Sequence, residues 1–123
     1  MLEFHVTNEI FDDVKNKNKR HEYREYKPYW IKRLSELVPP LMANIVKGYS
    51  KEKIPITITK IEVIERSMID VVVYRERIKT MQCFDIEYKR HRCTEWRMSY
   101  RLSNIAVYQC KECGKELRKK DVI

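Results

Sequence analysis

Glycine is almost missing from this chain. Two glycines, Gly48 and Gly114, occur in 123 residues. That excludes a Walker loop, a G-x-G-x-x-G dinucleotide fingerprint and a G-x-S-x-G nucleophile elbow, each of which needs clustered glycines. Long apolar runs are missing too: nothing approaches the ~18 residues of a membrane span. No secretory leader is expected, because Glu3 and His5 interrupt the first apolar residues. The three histidines, His5, His21 and His91, are scattered. Their spacing proposes no Ser/His/Asp or Cys/His triad; a cross-strand role is expected for His21 and a satisfied ring for His5.

Charge, in contrast, is abundant. Lys and Arg number 26 against 18 Asp and Glu, a net charge of +8, while hydrophobic residues make up 43%. Such a chain can form a core and keep a basic surface. Its field attracts polyanions, nucleic acid first, although an acidic face on a protein partner would be attracted as well.

Hydrophobic periodicity predicts an α+β chain of many short strands and two short helices. Leu2 to Val6 alternates as a half-buried strand. Thr7 or Asn8 can cap a helix whose apolar face is Ile10, Phe11 and Val14. Pro28 suits the first turn of a second helix, with Trp30, Ile31, Leu34 and Leu37 at helical spacing and Pro39-Pro40 to end it. Ala43 to Val46 is a short strand candidate, and Ile54 to Glu65 the clearest strand. The apolar phase slips after Ile58, which predicts a bulge near Lys60. Ile69 to Tyr74 reads as another strand, and Cys83 to Tyr88 and Trp96 to Leu102 as two more. Lys89 to Cys93 would connect that last pair. The row Trp96, Met98, Tyr100 and Leu102 is expected to face a core; the other reading leaves Trp96 and Tyr100 available for stacking.

The segment from Lys19 to Lys27 alternates like a strand yet has almost no aliphatic residue. Glu22, Arg24 and Tyr26 share one face of it. Cation, carboxylate and aromatic surface would then sit together, with Lys19 and Arg24 for phosphate and Tyr26 for stacking on a base. The same residues could equally pair among themselves within a barrel.

This stretch resembles the ASCH family, small domains with a PUA-like β-barrel. The family pattern is G-x-K-x-x-E-x-R after a short helix. Lys19, Glu22 and Arg24 match it, and Lys17 stands where glycine is usual. The continuation through Tyr29-Trp30, and Gly48-Tyr49-Ser50 before a Thr/Ile-rich strand, are similar to phage-encoded members. The resemblance covers roughly residues 1–65. It implies a cleft that handles RNA or modified nucleotides. Some relatives are amidohydrolases on acetylated cytidine and others are reported as ribonucleases. In the amidohydrolases a threonine nucleophile stands where this chain has Glu22; a carboxylate there could act as a base with Lys19, but not as that nucleophile.

All four cysteines, Cys83, Cys93, Cys110 and Cys113, lie in the last third. In the expected cytoplasmic compartment (host cytoplasm, if phage-encoded) clustered thiols point to metal rather than to disulfides. Cys110-Lys111-Glu112-Cys113-Gly114 is half of a zinc site, with a glycine that lets the backbone amides approach the thiolates. Cys83 and Cys93 complete a four-cysteine set. If the chain instead turns near His91, Cys83 lies too far away and His91 takes its place. Such an ion would be structural, since four protein ligands leave no position for activated water. From Lys89 onward ten Lys or Arg face four acids, which adds Arg90, Arg92 and Arg97 to the candidate binding residues.

The expectation is therefore a small PUA-like barrel over residues 1–82, which later strands could close, and a basic, zinc-stabilised, β-rich extension over residues 83–123. Its expected role is binding of nucleic acid, RNA above DNA, without catalysis. The alternative is a phage-encoded inhibitor of a host defence effector, anti-CRISPR-like, acting by protein–protein binding. A hydrolase in the relatives' manner is the third reading.

Overall fold

The computed structural model describes residues 2–16, 19–91, 95–112 and 114–120. The chain divides into two compact units, Met1–Arg90 and His91–Ile123.

The first unit opens with β1 (Leu2–Val6) and α1 (Asn8–Lys15). Thr7 caps α1, its hydroxyl accepting the Ile10 amide at 3.4 Å, and Ile10, Phe11 and Val14 form the buried face. Next come β2 (His21–Glu25), α2 (Pro28–Leu34), β3 (Leu41–Lys47) and the long β4 (Lys53–Glu65). Pro28 starts α2 and Leu34 is its buried anchor. Helix α2 closes on a Ser35 C-cap, before Pro39-Pro40 is reached. A 3₁₀ turn (Arg66–Met68) and α3 (Val72–Glu76) precede β5 (Gln82–Arg90).

The five strands form one sheet in the order β1-β3-β4-β5-β2. The β1–β3 pair is parallel and the others are antiparallel. The register slips between Ile58 and Lys60, where the apolar phase predicts it. Ile54, Ile56 and Ile58 face the main core before that slip. The core joins them to Phe4, Phe11, Ile45, Phe84 and Ile86 under α1 and α2. A second, smaller cluster of Ile69, Ile78 and Cys83 lies under the segment between β4 and β5. The sheet curls into a half-barrel, and Arg24 on the edge strand β2 donates to the His5 carbonyl on the other edge, β1, at 2.9 Å.

The second unit is a three-stranded antiparallel sheet, β6 (Trp96–Leu102), β7 (Ile105–Cys110) and β8 (Glu116–Lys120). Among the described residues, no helix is long and apolar enough to cross a membrane.

Three local expectations are corrected. Residues 69–74 form no strand: the 3₁₀ turn and α3 occupy this region, and Val71, Val72 and Val73 stay about half exposed. Arg66 supports the detour, its Nε donating to the carbonyls of Arg75 at 3.0 Å and Ile78 at 2.7 Å. Strands β5 and β6 do not pair through residues 89–93. Strand β5 lies between β4 and β2, so residues 83–90 belong to the first unit's sheet, while β6 pairs with β7. The alternating row on β6 is not a core face, since Met98 and Leu102 are about half exposed and Tyr100 is 39% exposed.

A buried ion cluster at the mouth of the half-barrel

Strand β2 pairs with β5 so that Glu22 stands opposite Ile86 and Arg24 opposite Phe84. Both partners are core residues, so the pleat turns Glu22 and Arg24 inward. A carboxylate and a guanidinium thereby occupy positions that hydrophobic residues fill on the neighbouring strand. Lys19 joins them from just before β2.

Glu22 is 4% exposed and Lys19 is 6% exposed, the two charged residues among the buried set. Lys19 Nζ lies 3.7 Å from Glu22 Oε2, and Arg24 Nε lies 3.6 Å from Oε1. Both ion pairs are longer than hydrogen bonds. Aromatic faces support the cations: Lys19 Nζ sits 4.4 Å from the Tyr74 ring centre, and the Arg24 guanidinium 4.9 Å from that of Trp30. Burial pulls the Lys19 pKa below its ordinary value, and the attraction of Glu22 only partly offsets it.

Three buried polar atoms here make no hydrogen bond to any described residue: Glu22 Oε2, Arg24 Nε and the Tyr88 hydroxyl. Burial, then the Glu22 charge, pushes the Tyr88 phenol up, so it stays protonated and keeps its donor. Glu22 and Arg24 line a cleft of about 210 Å³ together with Trp30, Tyr23, Arg77 and Thr7. A wider depression of about 590 Å³, lined by Glu3, Tyr29, Arg33 and Leu37 among others, lies along β1 and α2. Its charges are already engaged: Glu3 pairs with Lys53 at 2.6 Å, and Arg33 stacks on Tyr29 at 3.5 Å. Two of the three residues with a buried polar atom outside any hydrogen bond, Glu22 and Arg24, line the smaller cleft, which makes it the better candidate.

The structure thus brings Lys19, Glu22 and Arg24 together. It does not bring in Tyr26, which packs beside Phe84 at 5.4 Å and is absent from the cleft lining. Arg90 donates to the Lys15 carbonyl at 3.1 Å, linking the end of β5 to the end of α1. Arg97 is an exposed residue of β6. Arg92 lies outside the described residues. His5 donates to the Gly48 carbonyl at 2.6 Å, and His21 to Asp85 at 2.7 Å, so both rings serve local structure. Gly48 holds a positive φ of 54° at that turn, which a glycine adopts without strain. Trp30, Arg77, Tyr74 and Tyr88 escaped the sequence reading because they reach the site from separate elements.

Of the cysteine candidates, Cys93 and Cys113 lie outside the described residues. Cys83 is fully buried in the first unit beside Ile69 and Ile78, and burial pushes its thiol up to about 11. Cys110 ends β7, with His91 Nε2 3.4 Å from its sulfur. No group of three or more His, Cys, Asp or Glu that could hold a metal occurs among the described residues. No protein-family model, no curated protein and no solved structure matches the chain.

Proposed function

We propose that the first unit is an ASCH-type, PUA-like module that binds RNA by admitting one base, unmodified or modified, into the Glu22–Arg24 cleft. The observation that carries this reading is the pair of buried, hydrogen-bond-free atoms, Glu22 Oε2 and Arg24 Nε, on two residues that line the cleft. Buried polar atoms in folded proteins are nearly always satisfied, so a buried acceptor and a buried donor held by ion pairs without a hydrogen bond point to a ligand that carries both. A base edge does: an exocyclic amine donates to the carboxylate while a ring nitrogen or carbonyl accepts from the guanidinium.

Size supports a single ring. At about 210 Å³ the cleft falls below the ~300–1,000 Å³ of pockets for drug-sized ligands. Trp30 and Tyr23 provide aromatic surface beside it, and Arg77 provides a cation for a flanking phosphate. The net charge of +8 favours approach of a polyanion. Binding is favoured over acyl transfer by the chemistry of the lining. The aliphatic hydroxyl there belongs to Thr7, and it is engaged in capping α1.

Fluorescence-anisotropy titration tests the proposal, with single-stranded RNAs of each base, duplex RNA and duplex DNA at low and near-physiological salt. The expected result is affinity that survives near-physiological salt and prefers one base. Glu22→Gln and Arg24→Ala should each weaken it by about 1–3 kcal/mol, the worth of a specific base contact. Binding that ignores base identity, disappears with salt and is unchanged in Glu22→Gln would refute the proposal. The basic surface would then belong to a protein partner.

A further inference from the structure

Among its described residues the second unit buries little apolar surface. Of its described residues, the buried set consists of Ala106, Val107 and Cys110, and neither hydrophobic cluster contains a residue from it. Met98, Tyr100 and Leu102 point their apolar surface outward. Chains below ~40 residues fold with a disulfide, a metal or a partner because they cannot bury enough surface.

The turn after β7 offers the means. Cys110 receives a hydrogen bond on its carbonyl from the Gly114 amide at 3.0 Å, and its own amide donates to the Lys115 carbonyl at 2.9 Å. Gly114 holds φ at 77°, so the chain folds back tightly after the C-x-x-C pair. The Lys111 amide donates to the Glu95 carbonyl at 3.0 Å, which ties the approach to β6 to this same turn. His91 sits here with its side chain only 4% exposed. Its Nε2 is 3.4 Å from the Cys110 sulfur, and on the opposite side of the ring its Nδ1 is 3.8 Å from a Glu112 carboxylate oxygen. Two donors on one tetrahedral zinc, at ~2.3 Å for sulfur and ~2.0 Å for nitrogen, stand ~3.5 Å apart. A ligand imidazole usually turns its other nitrogen toward a carboxylate or carbonyl, and Glu112 is placed to serve.

We propose that the second unit is organised by one zinc ion held by His91 and Cys110, with Cys93 and Cys113 as the remaining ligands. Cys93 and Cys113 enter on sequence spacing alone, as His91-x-Cys93 and Cys110-x-x-Cys113, because both lie outside the described residues. Cys83 is not a ligand. It precedes His91 by eight residues of extended chain along β5, and at ~3.3 Å per residue the two cannot share an ion. Its thiol belongs instead to an apolar cluster.

The test is elemental analysis of the full chain purified without chelators, paired with cobalt(II) reconstitution read by visible absorption. One zinc per chain and a tetrahedral cobalt spectrum are expected. Cys110→Ser and Cys113→Ser should lose the metal, His91→Ala should lose or greatly weaken it, and His91→Cys should restore it. Cys83→Ala should keep a full equivalent. Metal-free protein, or a Cys110–Cys113 disulfide found by mass spectrometry, would overturn the proposal. So would loss of zinc in Cys83→Ala when circular dichroism shows the first unit folded.

Discussion

Replacing Glu22 by leucine should destabilise the first unit by about 3–5 kcal/mol, the usual result of stranding a buried charge. The magnitude follows from what remains. Lys19 is 6% exposed, and its ammonium would keep the Tyr74 ring at 4.4 Å but lose its carboxylate. A desolvated cation–π contact contributes about 2 kcal/mol, less than the cost of burying an uncompensated charge. Arg24 suffers less, because it still donates to the His5 carbonyl and lies over Trp30. Adding Lys19→Met removes the stranded charge, so the double variant should return to within about 1 kcal/mol of wild type. A pH signature accompanies the single variant. The fold lowers the Lys19 pKa, so above that value the unfolded chain holds more protons. Stability of Glu22→Leu should therefore rise as pH climbs from neutrality toward the ordinary lysine value of 10.5. Urea denaturation followed by circular dichroism measures all of this. A loss of 3 kcal/mol corresponds to a midpoint shift of roughly 1–3 M for a small domain. A single-variant loss below about 1 kcal/mol, or a double variant no more stable than the single, would refute the account of Glu22 as the counter-ion that makes a buried lysine tolerable.

Two further outcomes are expected. Burial raises the Cys83 thiol to about 11 and the Tyr23 and Tyr74 phenols to about 12, from 9.0 and 10.0. The fold holds these groups neutral, so their stabilisation is intact below pH 9 and is lost as pH rises through 11 to 12; denaturation midpoints across that window should fall, and Cys83 should ignore a thiol reagent at neutral pH until the chain is unfolded. Arg66→Met removes both Nε hydrogen bonds to the segment over the second cluster and should cost about 2 kcal/mol, with faster hydrogen exchange confined to residues 66–80; uniform exchange across the sheet would contradict this.

The candidate cleft was half legible in the sequence. A strand with charges where apolar residues belong announces itself, and Lys19, Glu22 and Arg24 did so. Which way they face depends on the pairing of β2 with β5, about sixty residues later, and local pattern carries no information about that register. Tyr88, Trp30 and Arg77 were invisible for the same reason. The bulge near Lys60 was legible because an apolar phase slip in a strand leaves a mark in the sequence itself. Residues 69–74 misled because β-branched residues favour strands, whereas here Arg66 holds the carbonyls of Arg75 and Ile78 just beyond them and the valines stay about half exposed. On β6 the alternation was visible, but alternation says that two faces differ and not that either is covered.

The strand order has a temporal consequence. Strand β2 carries Glu22 and Arg24, lies at the edge of the sheet and pairs with β5 alone, the last strand of its unit. As the chain leaves the ribosome, Lys19, Glu22 and Arg24 emerge early but have no partner strand until Arg90 has cleared the exit tunnel. The charged strand spends most of synthesis hydrated, and its charges are buried in the final step rather than the first. A nascent chain stopped before Gln82 would carry every charge of the cluster and every lining residue of the cleft, but not the strand that holds β2 in place.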